Sequence, residues 1–274
     1  MDELRPQDLN RLDRPPLVLH QQRRAEVLDW IGQGRSVAVV GTRASSDHVL
    51  RMAEHLGAVL AETGWPEING LAEGIDAAAD RGCLAGGVFP VAVLGTTLER
   101  VYPRHHQSLQ QDVAENGLLL SERRPGESVQ PGHFATRNRF LVCLSCALVV
   151  VECPDRSGAF ISARIAAEQQ FPIWVVHGDA GRWSSRGSNR LLQNTAASLL
   201  SSLELVEHLG PEPCHQTKFS DLALMKALGS GASIEQLQKT LELPGGRLAI
   251  YLLALELAGQ VVCESGFLWK TCRP

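Results

Sequence analysis

Several short stretches of this chain combine glycine with arginine, asparagine and serine, the residue types that hold anions. Gly41-Thr42-Arg43 closes an apolar run and is followed by Ala44-Ser45-Ser46 and a helical stretch. That is where a parallel α/β sheet turns backbone N–H groups toward a phosphate. A dinucleotide fits poorly, because only Gly41 of the usual glycines is present and an Arg fills the turn that must approach a pyrophosphate closely. No cofactor is therefore expected. A second stretch, Asn69-Gly70-Leu71-Ala72-Glu73-Gly74-Ile75-Asp76, precedes a helix starting near Ala77, with Asp76 as a candidate N-cap. A third, Phe134-Ala135-Thr136-Arg137-Asn138-Arg139, reads as a loop crowding two cations around an amide, so an anion or acidic partners should lie between them. A fourth, Arg156-Ser157-Gly158-Ala159, opens a helix over 161–168, and Gly187-Ser188-Asn189-Arg190 repeats the theme. Loops after separate strands converge on one edge of an open sheet, where these groups suit phosphates and bases better than hydride transfer.

Other chemistry-bearing residues have plainer readings. Cys143-Leu144-Ser145-Cys146 has the spacing of a redox or zinc pair, but no second Cys/His pair sits at zinc-finger distance. Both thiols adjoin an apolar run, so they read as buried and inert, and no metal is expected. His105-His106, after Tyr102-Pro103, reads as a surface turn. Tyr102 and Phe134 are either packing residues or base-stacking platforms. Trp174 belongs to the core, and Trp183, in a loop rich in Gly, Arg and Ser, is the aromatic best placed to face a ligand.

The elements that would position these groups follow from the apolar pattern. Runs at 36–40, 89–94, 117–120, 147–152 and 172–176 are mostly apolar throughout, as strands covered on both faces of a parallel sheet must be. Between them lie stretches such as 47–63, where Val49, Met52, Ala53, Leu56 and Leu60 recur at helical spacing. Strand and helix in alternation predict an α/β fold: a Rossmann-like, doubly wound, mostly parallel sheet over 35–210, with an N-terminal extension, 1–34, packed on it. A linker at 211–218 leads to a small C-terminal domain, 219–274. There, three helices (222–228, 234–241, 247–258) and a hairpin around Ser265-Gly266 predict a winged helix. Residues 217–274 hold 6 basic and 5 acidic groups, too even a balance for a phosphate-gripping module, so this domain is expected to contact protein or to supplement a DNA site weakly.

Composition narrows the classes further. A chain of 274 residues with 44% hydrophobic content can bury an α/β core and a second small unit. Net charge is -4, so a nucleic-acid partner must be argued from the distribution of charge. Residues 1–120 hold 11 Arg against 16 acids, whereas 121–190 hold 9 Arg against 6. The first Lys is Lys218, so every earlier cation is a guanidinium, the group that grips phosphate bidentately. Seven irregularly spaced Cys, a polar N-terminus and the lack of any long apolar window predict a cytoplasmic protein without membrane association.

Taken in order, Gly41-Thr42-Arg43, the Gly70-Leu71-Ala72-x-Gly74-Ile75-Asp76 run, Tyr102-Pro103, Ser121-Glu122, Phe134-x-x-Arg137-Asn138-Arg139, Glu152 with Ser157-Gly158, and Ser188-Asn189-Arg190-Leu191 resemble the landmarks of the DprA (Smf) family. The resemblance covers about residues 15–200, and Leu255-Glu256-Leu257-Ala258-Gly259-Gln260-Val261 with Gly266-Phe267 is similar to the winged-helix tail of many members. It implies a homodimeric, non-catalytic protein that coats incoming single-stranded DNA and loads the RecA recombinase in natural transformation. The implied DNA site comprises Gly41, Thr42, Arg43, Gly70, Arg137, Asn138, Arg139, Ser157 and Gly158, to which Asn189 and Arg190 are added from the fifth stretch. Arg43 and Arg139 would neutralise phosphates, and Asn138 would bind one or orient a loop. Asn69, Glu73 and Asp80 depart from the family's usual Ser, Arg and His, and Glu73 in place of an Arg should weaken DNA binding. The competing expectation is an enzyme related to the lysine-decarboxylase-like nucleotide phosphoribohydrolases, with Glu152, Glu122 and Asp76 as acid or base. The Pro-Gly-Gly-x-Gly-Thr phosphate loop of those enzymes is missing, and Asp155-Arg156-Ser157-Gly158-Ala159 occupies the comparable place.

Overall fold

Val37–Val40, buried at every position, forms a strand (β3) for the reason its sequence gives: an uninterrupted aliphatic run must be covered on both faces. The computed structural model describes residues 3–4, 19–22, 27, 31, 35–194, 196–210, 221–229, 231–241, 248–249, 252, 255–256, 260–264 and 268–271. Before β3 come β1 (Glu3–Leu4) and β2 (Leu19–Gln22); after it come β4 (Glu67–Asn69), β5 (Val91–Leu94), β6 (Leu118–Ser121), β7 (Ala147–Val150), β8 (Ile173–Val176) and β9 (Ala197–Leu199). The helices between and after them are α1 (Asp47–Glu62), α2 (Ile75–Gly86), α3 (Gln107–Asn116), α4 (Pro131–Cys143), α5 (Gly158–Glu168), α6 (Arg186–Asn194) and α7 (Ser202–Leu209).

The strands form one sheet in the order β1-β2-β6-β5-β4-β3-β7-β8-β9. From β6 through β9 all neighbours are parallel, and β1 and β2 add an antiparallel edge. The chain winds from β3 outward to β6, returns to lay β7 on the other flank of β3, and winds outward again to β9. This is a doubly wound, mostly parallel sheet of Rossmann type, with its switch point between β3 and β7. Alternate residues feed the two faces: Ala38 and Val40 join Phe140, Val150 and Val175 in one apolar layer, while Val37 and Val39 join Leu56, Leu60, Ile75 and Trp174 in the other. On the latter face α1 and α2 touch backbone to backbone, and a Cβ at Gly82 would lie 1.8 Å from the Glu54 carbonyl oxygen.

Several expectations are corrected. Residues 134–139 are not a loop but part of α4, whose first turn carries Pro131, a residue suited to a helix start. Gly187 to Arg190 likewise lie within α6. Helix α2 starts at Ile75 with Gly74 at its N-cap, so Asp76 sits inside the first turn. The short strands β4 and β9 escaped the sequence reading because three residues show too little periodicity, and β4 begins with a charged residue.

The chain divides into two compact units, Met1–Pro213 and Cys214–Pro274. In the second, Asp221–Leu228 (α8) and Ile234–Leu241 (α9) accompany an antiparallel pair, Val261–Glu264 (β10) and Leu268–Thr271 (β11). Leu224, Leu237, Leu248, Leu252 and Trp269 share its core. The expected linker at 211–218 lies outside the described residues, as do most of the expected N-terminal extension and of the third C-terminal helix.

Candidate nucleic-acid interface

At the switch point the chains leaving β3 and β7 part company. Just before they diverge, Thr42 N–H donates to the Glu152 carbonyl at 2.7 Å and Val151 N–H to the Val40 carbonyl at 3.2 Å. Beyond this knot lies an open cleft of about 500 Å³, within the range of ligand sites. Its walls are residues 41–44, α4, the start of α5 and the Trp183 indole. A second cleft, about 440 Å³, opens beside it between residues 70–73, 94–96 and 100–104. Arg43, Ala72, Phe134 and Arg137 line both, so the two form one groove along the strand ends.

Arg137 is the partition. It is only 4% exposed, and its Nε and Nη1 have no hydrogen-bond partner among the described residues. The guanidinium occupies the space where a side chain at position 70 would stand: a Cβ on Gly70 would fall 1.5 Å from Nη1 and 2.1 Å from Cζ. Burial, opposed by the Asp76 carboxylate and assisted by the Arg43 charge, pushes its pKa down to about 10, so it stays a cation at neutral pH. A buried cation with idle N–H groups at the boundary of two clefts has the chemistry to pair with an anion. Arg43, exposed at the rim, adds a second positive charge.

The loop beneath is held by a buried polar network. Asp76 accepts hydrogen bonds from Gly70 N–H (3.1 Å) and Ala72 N–H (3.4 Å). Burial raises its pKa, while Arg137 opposes the rise. Asn69 accepts from Leu71 N–H at 2.7 Å and donates to the Asp76 carbonyl at 3.0 Å and to the Glu67 carboxyl at 2.9 Å. Glu67 and Asp80 lie fully buried under this loop. Burial, reinforced by repulsion from Asp80, lifts Glu67 well above the carboxylate range, and burial with the Asp76 charge lifts Asp80 to about 8. Both shifts favour the protonated carboxyl.

The remaining groups of the first cleft come from α5. Ser157 caps the helix, its Oγ accepting from Phe160 N–H at 3.1 Å. Gly158 and Ala159, in the first turn, line the cleft with N–H groups that no helical carbonyl can reach. Asn138 donates to the Gly158 carbonyl at 3.1 Å, which fixes α4 against this helix start. Gly41 lines the cleft and Thr42 is buried in its wall.

Thus the structure brings together Gly41, Thr42, Arg43, Gly70, Arg137, Asn138, Ser157 and Gly158. It does not bring Arg139, Asn189 or Arg190 into either cleft. In a helix, residues two apart point about 200° away from each other, so Arg137 faces the groove while Arg139 faces Glu122, with Nη2 to Oε2 at 2.7 Å. Asn189 holds Gly178 through both its backbone groups, at 3.1 and 3.2 Å, and Arg190 lies 3.8 Å from Asp155. Of the carboxylates a hydrolase would use, only Asp76 lines a cleft; Glu152 accepts from Ser184 and Ser185, and Glu122 pairs with Arg123 and Arg139.

The second cleft carries groups that the sequence reading passed over. Arg100 and Arg104 flank the Tyr102-Pro103 pair and line it, a spacing legible once that dipeptide is placed at the rim. Tyr102 and Phe134 stack obliquely there, ring centres 4.7 Å apart. His106 is buried and bonds the Leu71 carbonyl at 3.2 Å, not a surface turn residue as expected. Glu73 stands at the same rim, 2.9 Å from His105, a pairing that is ionic only when that imidazole is protonated. Cys143 is buried, and burial pushes the Cys146 thiol up to about 11. Among the described residues no cluster of His, Cys, Asp and Glu could hold a metal, and no helix is long and apolar enough to cross a membrane.

Comparison with known proteins places this chain in a family. Smf from Synechocystis sp. is 35% identical over 208 residues, 76% of this chain and 52% of the relative, so the chain spans about half the length of that protein. The crystal structure of DNA processing protein A from Streptococcus pneumoniae superimposes with a TM-score of 0.69 at 32% identity, covering 74% of this chain and 70% of the other. A structure of DNA processing protein A from Helicobacter pylori, concerned with that protein's single-stranded DNA binding mode, gives the same TM-score at 26% identity over 76% of this chain and 94% of the other. Residues 1–210 match the family model for DNA recombination-mediator protein A, and with these relatives in agreement the chain belongs to that family.

Proposed function

We propose that the chain binds single-stranded DNA along the two clefts, and that it does so in the cytosol, as a homodimer, to protect incoming DNA and pass it to the RecA recombinase in natural transformation. The single observation that carries this reading is Arg137, a buried guanidinium with idle donors shared by both clefts. A strand passing from one cleft to the next would run its phosphates over Arg137 and Arg43 and lay its bases against the apolar and aromatic walls. The groove is open at the sheet edge, as a polymer needs. The DNA-binding relative from Helicobacter pylori supports the same use of the fold. The C-terminal unit fits a winged helix that contacts protein or adds weakly to the DNA site. A binding role is favoured over base hydrolysis because Glu152 and Glu122 line neither cleft, Glu152 Oε1 accepting from Ser184 and Ser185 and Glu122 pairing with Arg139.

The test is an electrophoretic shift with a poly-thymidine oligonucleotide at two salt concentrations. Binding should weaken with salt, the slope of log K rising by about 0.7 per phosphate neutralised. An Arg137→Ala protein should bind more weakly and with a shallower slope. A wild-type protein that binds no oligonucleotide, or that releases free base from a nucleoside monophosphate, would overturn the proposal.

A further inference from the structure

Trp183 is 61% exposed, an unusual state for an indole, which the hydrophobic effect normally covers. The turn that carries it is nonetheless anchored. Trp183 opens a single 3-10 turn, Trp183–Ser185, and the next two residues, Ser184 and Ser185, both donate to Glu152 Oε1, at 2.9 and 2.8 Å. Asn189 clamps the other end of the loop through Gly178. A rigid base therefore presents a large ring to solvent at the mouth of the first cleft, beside Ile161, itself 39% exposed.

The cleft has two chemical ends. Its buried end offers the Arg137 guanidinium and the first-turn N–H groups of α5; around its exposed mouth stand Arg43, Pro131, Ala135, Ile161 and Trp183. A ligand that suits both ends carries a phosphate on one side and a flat apolar ring on the other, which is the description of a nucleotide. We propose that Trp183 is the stacking platform for one base of the bound strand, the base of the nucleotide whose phosphate sits over Arg137. This rests on the reading of the groove as a single-stranded DNA site and deepens it by naming the residue that holds a base. Stacking uses the π-face common to every base, so the subsite tolerates any sequence.

The experiment measures fluorescence anisotropy of a labelled thymidine oligonucleotide and of an abasic strand of equal length, with wild type, Trp183→Ala, Trp183→Phe and Arg137→Ala. Trp183→Ala should weaken thymidine binding about tenfold, with the salt slope of wild type, because a stacking contact and no phosphate contact is lost. Trp183→Phe should recover most of the affinity. The abasic strand should not distinguish Trp183→Ala from wild type. Equal losses on both strands, or no loss on either, would overturn the proposal and point to the indole as a protein-docking or idle residue. The outcomes separate the two claims: if wild type binds with a salt dependence that Arg137→Ala reduces while Trp183→Ala is neutral, only the stacking role falls; if wild type binds neither strand, the DNA site itself falls.

Discussion

Replacing Gly70 by Ala tests the groove through a residue that contributes no chemistry of its own. The added Cβ would stand 1.5 Å from Arg137 Nη1, 2.1 Å from Cζ and 2.2 Å from Nη2, so the guanidinium must move by about 2 Å to reach ordinary contact. Gly70 is not among the residues with positive φ, so alanine meets no backbone strain there. The obstruction is the far end of a flexible side chain, and the fold should survive with little loss of stability. What should be lost is the alignment of Arg137 with a phosphate. A hydrogen bond to a charged group contributes about 1.5–3 kcal/mol, which converts to a fall in affinity of roughly 10- to 150-fold. One fewer phosphate neutralised should reduce the salt slope by about 0.7. Anisotropy titrations with a thymidine oligonucleotide over a series of salt concentrations read both quantities, and a thermal melt checks the fold. The decisive comparison is the double variant: with Arg137→Ala already in place there is nothing for the new methyl to displace, so Gly70→Ala should add almost nothing. Gly70→Ala binding like wild type, or costing as much in the Arg137→Ala background as alone, would refute the reasoning.

Other perturbations act on separate parts of the molecule. Glu73→Arg exchanges a repulsive rim charge for an attractive one at the second cleft and should strengthen oligonucleotide binding several-fold while steepening the salt slope by about 0.7; unchanged binding would remove Glu73 from the strand's path. Arg139→Ala should cost about 1–3 kcal/mol of stability through the lost bond to Glu122 yet leave the salt slope alone, and a slope that falls would put Arg139 back at the DNA. Asp80→Asn should flatten the dependence of stability on pH. Because the folded pKa of Asp80 is raised to about 8 from an ordinary value of 3.8, its protonated form favours the fold fully below the ordinary value, and that contribution is lost as pH rises toward 8. Melting temperatures of variant and wild type should therefore diverge in the variant's favour between acid and mildly alkaline pH; a constant difference would mean that the buried pair does not hold its protons.

The sequence by itself determined the alternation of strand and helix, because uninterrupted aliphatic runs such as 37–40 and 147–150 can only be satisfied between two covered faces. It also marked the stretches that end at the groove, since glycine, arginine and serine beside a strand end have few other uses. Tertiary structure alone decided which of those residues meet. Arg137 and Arg139 are near neighbours in the chain and look equivalent there; the helical turn of α4 sends one to the clefts and the other to Glu122. Asn189 and Arg190 carry the right chemistry but spend it on Gly178 and Asp155. Conversely, the contact between Gly70 and Arg137 joins residues 67 positions apart, and the Glu67–Asp80 pair is buried only because α2 folds back over β4. Local periodicity reports what each segment must become. Which side chains end up facing one another depends on helix phase, strand order and the switch between β3 and β7, quantities that exist only once the sheet has closed.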